Sequence, residues 1–328
     1  MRLVPAMVLT LLLIPVPALA DGPAHEAGRY YSQEFLAGRL GNIWTRMTPD
    51  MRDAFGTIEG LVAFRDSVAR DFGSETGFVA EEVVADDTRA EVYSRTSRWS
   101  AVDVPVLMQW VLTPDQRISG FQVRLAPVLA PSRFLDHTTR TPLRLPFDGE
   151  WYVVWGGRTL EQNYHAADVA QRFAFDALVV RGGSTHSGDA SDLASYHCWD
   201  QVVRAPAAGK AVSVVRDLPD NPIGDTDAEN PAGNHIVIDF GNGEFAFLAH
   251  MREGSIVVEE GDEVQAGQEL GRCGNSGNSS EPHIHFHLQT TPDLRAGEGL
   301  PAFFLNYSAD GRSVAKGEPA AGETIAPR

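Results

Sequence analysis

Histidine alternates with apolar residues in Pro282-His283-Ile284-His285-Phe286-His287-Leu288. That alternation reads as a β-strand, with the three imidazoles on one face and Ile284, Phe286 and Leu288 on the other. A hydrophobic core gains nothing from clustered imidazoles, because each buried ring nitrogen needs a hydrogen-bond partner. A metal ion does gain, since neutral imidazole is the commonest protein ligand for one. The chain is therefore constrained to bring further ligands to this strand.

Eight of the ten histidines lie between His165 and His287, so the chemistry belongs to the second half. The helical HExxH zinc motif is absent, and no Cys-x-x-Cys pair offers a structural zinc site. Any metal must be held by residues gathered from separated strands, with a carboxylate or imidazole from elsewhere completing the set. The net charge of −17 argues against nucleic acid as a partner, because phosphate binding requires a basic surface.

At 328 residues the chain is long enough for about two domains. Residues 1–20 read as a secretory signal peptide: Arg2, an apolar run, then Ala18-Leu19-Ala20. The expected mature protein starts near Asp21 and is periplasmic or secreted, with no membrane anchor after cleavage. No cysteine follows the leader, so lipid attachment is not expected. Cys198 and Cys273 could form one disulfide or remain two buried thiols, and spacing does not decide between them.

Residues 28–125 form an α+β accessory domain. Tyr31, Phe35, Leu36, Leu40, Ile43, Trp44 and Met47 recur at helical spacing. Thr48-Pro49-Asp50 starts a second helix as N-cap plus proline, and a third carries Leu61, Phe64 and Val68 and stops at Gly73. Four runs rich in β-branched and aromatic residues follow. This order resembles the cone-like domains of the nuclear-transport-factor-2-like group. Residues 126–147, rich in proline and turn formers, read as a linker. Residues 148–308 carry many short strands with Gly-rich turns, including Gly241-Asn242-Gly243, and predict a mostly antiparallel β domain. Residues 309–328, rich in Gly, Ala and Pro, are expected to be disordered.

Four segments of the second domain carry a resemblance: Asn234 to His250, Gly261 to Gln268, Gly274-Asn275-Ser276-Gly277, and Pro282-His283-Ile284-His285-Phe286. Together they resemble the lysostaphin-type, LytM-like zinc endopeptidases. The resemblance implies a β-sheet groove, one catalytic Zn2+ per chain, and hydrolysis of peptide cross-links in bacterial peptidoglycan. It assigns the zinc to His165, Asp176 and His285, with His250 and His283 sharing the water proton and the oxyanion. Ten residues separate His165 from Asp176 where the family commonly has three. The competing first ligands are His186 with Asp189 or Asp192, and, behind them, His197.

His287 shares the face of His285 but replaces a different residue of the family, which leaves it at most a supporting or groove-wall place. His235 reads as an ordinary strand imidazole. The alternatives in function are a non-catalytic LytM-like regulator that activates another cell-wall hydrolase, and a zinc peptidase with a protein substrate. The bond cleaved, the oligomeric state, and whether the N-terminal domain inhibits or positions are not written in the sequence.

Overall fold

A computed structural model describes residues 22–85 and 90–328, and the signal-peptide segment lies outside the described residues. The chain forms two compact units, divided between Ala126 and Pro127. The first is a small helical region followed by an antiparallel sheet. Its helices are α1 (Pro23–Leu36), α2 (Leu40–Arg46), α3 (Pro49–Phe55) and α4 (Ile58–Phe72). Its strands β1 (Glu75–Ala85), β2 (Glu91–Trp99), β3 (Val106–Leu112) and β4 (Ile118–Leu125) pair in sequence order.

The single long helix expected through Met47 is broken into α1 and α2, because Gly38 takes φ +74° between them. The Thr48 hydroxyl accepts from the Met51 amide at 3.3 Å, and Pro49 opens α3, as the Thr-Pro-Asp pattern predicts. The core of this unit is aromatic. Trp110 stacks on Phe121 with centroids 3.7 Å apart, and its indole N–H donates to the Ser32 hydroxyl at 2.9 Å.

In the second unit β5 (Trp151–Trp155), β6 (Phe175–Leu178), β7 (Val202–Arg204), β8 (Gly209–Val215), β9 (Asn234–Asp239) and β10 (Phe245–Met251) come first. They are followed by β11 (Glu263–Val264), β12 (Glu269–Arg272), β13 (Ile284–Gln289), β14 (Gly299–Leu300), β15 (Phe304–Ala309), β16 (Arg312–Gly317) and β17 (Thr324–Pro327). Eleven strands form one sheet in the order β11-β8-β9-β10-β13-β6-β5-β17-β15-β16, with β14 on β13, while β12 and β7 pair separately. Every pairing between these strands is antiparallel. The histidine strand is central, between β10 and β6. Ile284, Phe286 and Leu288 fill the core, where Phe286 meets Phe175 and Phe304 at centroid distances of 5.5 and 5.2 Å.

Two expected boundaries are corrected. Residues 309–328 are not a disordered tail: β16 closes a hairpin on β15, and β17 inserts between β15 and β5. Ile325 supplies the reason, since it is fully buried in the core and repays the ordering of a Gly- and Pro-rich segment. Residues 127–147 are not a free linker but part of the second unit, with Leu143, Leu145 and Phe147 buried in its core. Buried Glu244 fastens the same segment, accepting from the Arg140 and Thr141 amides at 2.7 and 2.9 Å.

Cys198 and Cys273 are joined by a disulfide, and both are buried. Among the described residues no helix is long and apolar enough to cross a membrane.

Candidate metal centre

His165 sits on a single 3-10 turn, Tyr164–Ala167, whose start is held by Asn163. The Asn163 side-chain oxygen accepts from the His165 amide at 3.1 Å, and its amide group donates to the Gly157 and Ala174 carbonyls at 3.0 and 2.8 Å. One buried side chain thus ties the turn to the start of β6. Asp176 is the second residue of β6, and antiparallel pairing sets it directly opposite His285 on β13. Cross-strand partners project to the same face, so the carboxylate meets the imidazole without any loop adjustment.

His165 Nε2 lies 2.9 Å from Asp176 Oδ2, and His285 Nδ1 lies 2.8 Å from Asp176 Oδ1. One donor atom from each residue falls within 4.8 Å of the others, and all three residues are buried. Burial alone would raise the Asp176 pKa, but the His165 charge and the hydrogen bonds from His165 and His285 outweigh it. The carboxyl is held well below its usual range. Burial lowers the His285 pKa, with Asp176 opposing. The group therefore consists of two imidazoles and one ionised carboxylate, a donor set that suits a divalent zinc ion with a further coordination position open.

His250 reaches this site by a backbone irregularity. Ala249 lies opposite His285, so regular alternation would turn His250 to the other face. The ladder between β9 and β10 slips between Leu248 and Met251, and His250 adopts φ +62°, a left-handed conformation unusual for a residue with a side chain. The imidazole is thereby redirected, with its centroid 4.7 Å from that of His283 and 5.8 Å from that of His285. Strain held at such a bulge is commonly associated with a functional site.

Tautomers follow from the partners. His250 Nδ1 lies 2.9 Å from the Ser276 carbonyl, and His283 Nδ1 lies 2.9 Å from the Glu281 carbonyl. A carbonyl only accepts, so both rings carry the proton on Nδ1 and leave Nε2 bare when neutral. The His283 Nε2 is 3.9 Å from Asp176 Oδ2. Burial, followed by the charges of His283 and His285, pushes the His250 pKa well below normal.

All five residues named from the sequence for metal and catalysis thus meet in one place. His186 is outside the ligand group: its backbone pairs with Tyr196 within its own loop, and its ring lies 5.2 Å from the tyrosine. Three contributors were not singled out by sequence reasoning: the Asn163 clamp, the Ser276 carbonyl, and Tyr164, whose ring lies 3.9 Å from that of His165. Asn two residues before His165 is a readable N-cap signal, whereas a backbone carbonyl leaves none.

These shifts fix a pH dependence. His250, His285 and His287 all have folded-state pKa values below 6.5, mainly through burial. Below about pH 6.5 the unfolded chain takes up protons that the folded chain refuses, so stability is full above that pH and falls on acidification. The Asp176 contribution is present above pH 3.8 and disappears only as pH falls through its depressed value. Thermal melts from pH 8 to pH 4 are expected to decline from about pH 6.5, before carboxylates titrate. A flat curve between pH 7 and pH 5 would contradict buried neutral histidines.

Residues 192–296 match the family model described as Peptidase family M23. A stretch of the second unit is thus similar to the M23 peptidases. The matched stretch holds His250, His283 and His285 but begins after His165 and Asp176. A curated relative, the peptidoglycan DD-endopeptidase ShyA of Vibrio cholerae, is 39% identical over 57 residues. That match spans 17% of this chain and only 13% of the relative's length.

Among solved structures, the lysostaphin catalytic domain from Staphylococcus simulans is similar at 19% identity, covering 46% of this chain and 88% of that one, with a TM-score of 0.29. The M23 metalloprotease pseudoalterin, from the deep sea, is similar at 19% identity, covering 54% and 96%, with a TM-score of 0.32. Overlaps of that size add nothing to the family match.

Proposed function

We propose that this chain is an exported zinc metalloendopeptidase that hydrolyses peptide cross-links of bacterial peptidoglycan. The observation that carries the reading is the convergence of His165, Asp176 and His285 from three separated stretches onto one buried point. Two of these residues lie outside the matched family segment, so their meeting is independent of that match. The M23 family and the ShyA relative favour cell-wall peptide as the substrate. The leader-like N-terminus and the disulfide favour export.

In this reading His165 Nε2, a carboxylate oxygen of Asp176 and His285 Nδ1 would hold the zinc. Bound there, the ion would supply Lewis-acid polarisation of a peptide carbonyl and would lower the pKa of water towards neutrality. His250 and His283, each with Nε2 bare, would accept a proton from water at this site. The ring that accepts it becomes a donor at the same atom and can then serve the oxyanion or the leaving amine. Burial keeps His250 neutral and ready to accept.

Replacing either His250 or His283 by alanine is expected to cut turnover by about 10²–10⁴-fold while one zinc per chain is retained. Metal analysis of each variant beside release of soluble fragments from purified cell wall makes the comparison. Loss of zinc in either variant would reassign that residue as a ligand.

The deciding experiment for the whole reading is digestion of purified peptidoglycan with and without a chelator. Activity that disappears with chelator and returns with zinc is expected. An inert protein that instead activates a second hydrolase without zinc would establish the regulator reading in its place.

A further inference from the structure

His287 takes no part in the reaction proposed above, yet it is 1% exposed and tightly partnered. Its ring lies flat on Phe247, with centroids 4.5 Å apart and an interplanar angle of 10°. Its Nδ1 is 2.8 Å from His285 Nε2. Two ring nitrogens at that distance share one proton, so one must donate and the other accept.

The opposite nitrogen of His285 determines which. An Nδ1 that gives its lone pair to a metal ion carries no proton, so the His285 proton then resides on Nε2 and His287 Nδ1 must accept it. His287 must in turn carry its own proton on Nε2. Gln289, two residues further along the same face of β13 and fully buried, fits the next step. Its amide nitrogen donates to the Thr291 and Asp293 carbonyls at 2.8 and 2.6 Å, which fixes the orientation of the group. Its Oε1 is buried with no hydrogen-bond partner among the described residues, and so is His287 Nε2.

We infer that His287 is a positioning residue that holds His285 in its metal-binding tautomer, and that Gln289 sets the tautomer of His287 in turn. The inference rests on the metal-site reading of His165, Asp176 and His285. It assigns defined work to a histidine that the LytM-like resemblance leaves at most a supporting or groove-wall place, since the family usually has a different residue there. Groups that orient a metal-bound histidine through its second nitrogen typically govern metal affinity.

The test is Zn2+ affinity of the full chain, measured by competition with a chromophoric chelator, together with the absorption spectrum of the Co2+-substituted protein. His287→Phe keeps a flat ring against Phe247 but removes the acceptor. It is expected to weaken zinc binding ~10–100-fold and to shift the cobalt spectrum. His287→Asn returns an acceptor close to the position of Nδ1 and is expected to recover most of the affinity. Gln289→Leu, more remote, is expected to weaken binding in the same direction by less.

The metal-free melting temperature separates this role from mere packing, since His287→Phe is expected to leave it unchanged or raise it. Zinc binding by His287→Phe at wild-type strength, or His287→Asn binding no better than His287→Phe, overturns the inference while leaving the metal site standing. A wild-type chain that takes up no zinc overturns both. Should His287→Phe not fold, Gln289→Leu decides alone: wild-type affinity in that variant also counts against the relay.

Discussion

His285→Ala is expected to purify without zinc and to lose peptide hydrolysis by ~10³-fold or more. The lower bound comes from other enzymes, where loss of a single oxyanion donor already costs about 10²–10³-fold. His285 is the proposed ligand with least freedom: β10 and β6 pair with its strand on either side, and its two ring nitrogens meet Asp176 and His287. Neither neighbour can take over its position, because each is fixed by strand pairing of its own.

The stability readout is separate from activity. A ligand that binds only the folded chain at about 1,000 times its Kd adds roughly 4 kcal/mol, so the wild-type melting temperature is expected to rise with added zinc. That of His285→Ala is expected not to. His186→Ala is the discriminating control, expected to keep both zinc and activity. If His186→Ala lost the metal and His285→Ala kept it, the assignment of ligands would fall.

How far the site could be read from the chain differed residue by residue, for identifiable reasons. His283 and His285 were legible because strand alternation is local: once Pro282 to Leu288 is a strand, their shared face follows. Asp176 was legible as a carboxylate entering a strand that had to pair somewhere. Its register against His285 was not, because register is a property of two strands rather than one. His165 is separated from Asp176 by an uncommon spacing, and what brings it back is Asn163, whose side chain holds the His165 amide and donates to Gly157 and to Ala174, just before β6.

His250 is the instructive case, since alternation alone would have aimed it away from the site. The bulge and the positive φ that reverse it occur at a residue with no glycine signal. Composition misled at residues 126–147 and 309–328 because it averages over a segment, whereas burial is decided by a few side chains. Leu143, Leu145 and Phe147 already alternate at strand spacing beneath the proline-rich average, and Ile325 alone anchors a strand.

The disulfide leads to the second large effect, and this one concerns stability. Cys198 and Cys273 are 75 residues apart in sequence. In the chain-entropy description, closing a loop of that length removes about 4.5 kcal/mol of freedom from the unfolded state. For a unit the size of residues 127–328, that amounts to a fall in melting temperature of roughly 10–18 °C.

The double variant Cys198→Ala/Cys273→Ala is therefore expected to melt that much lower by differential scanning calorimetry of the full chain. The loss also has a route to the site. Cys273 pairs by a backbone bridge with Met251, the residue after His250, and Gly274 donates its amide to the His250 carbonyl at 3.1 Å. Three residues beyond Cys273, Ser276 offers the carbonyl that sets the His250 tautomer.

Loosening this segment is expected to lower the hydrolytic rate while zinc binding is kept, because His165, Asp176 and His285 are fixed by β6, β13 and Asn163 rather than by the bridge. Both sulfurs are buried, so reductant alone is expected to leave the folded protein intact, whereas reductant with denaturant abolishes refolding to the native melting temperature. A double variant that melts within a few degrees of the wild type would mean that residues 181–198 and 273–280 are held by their hydrogen bonds alone.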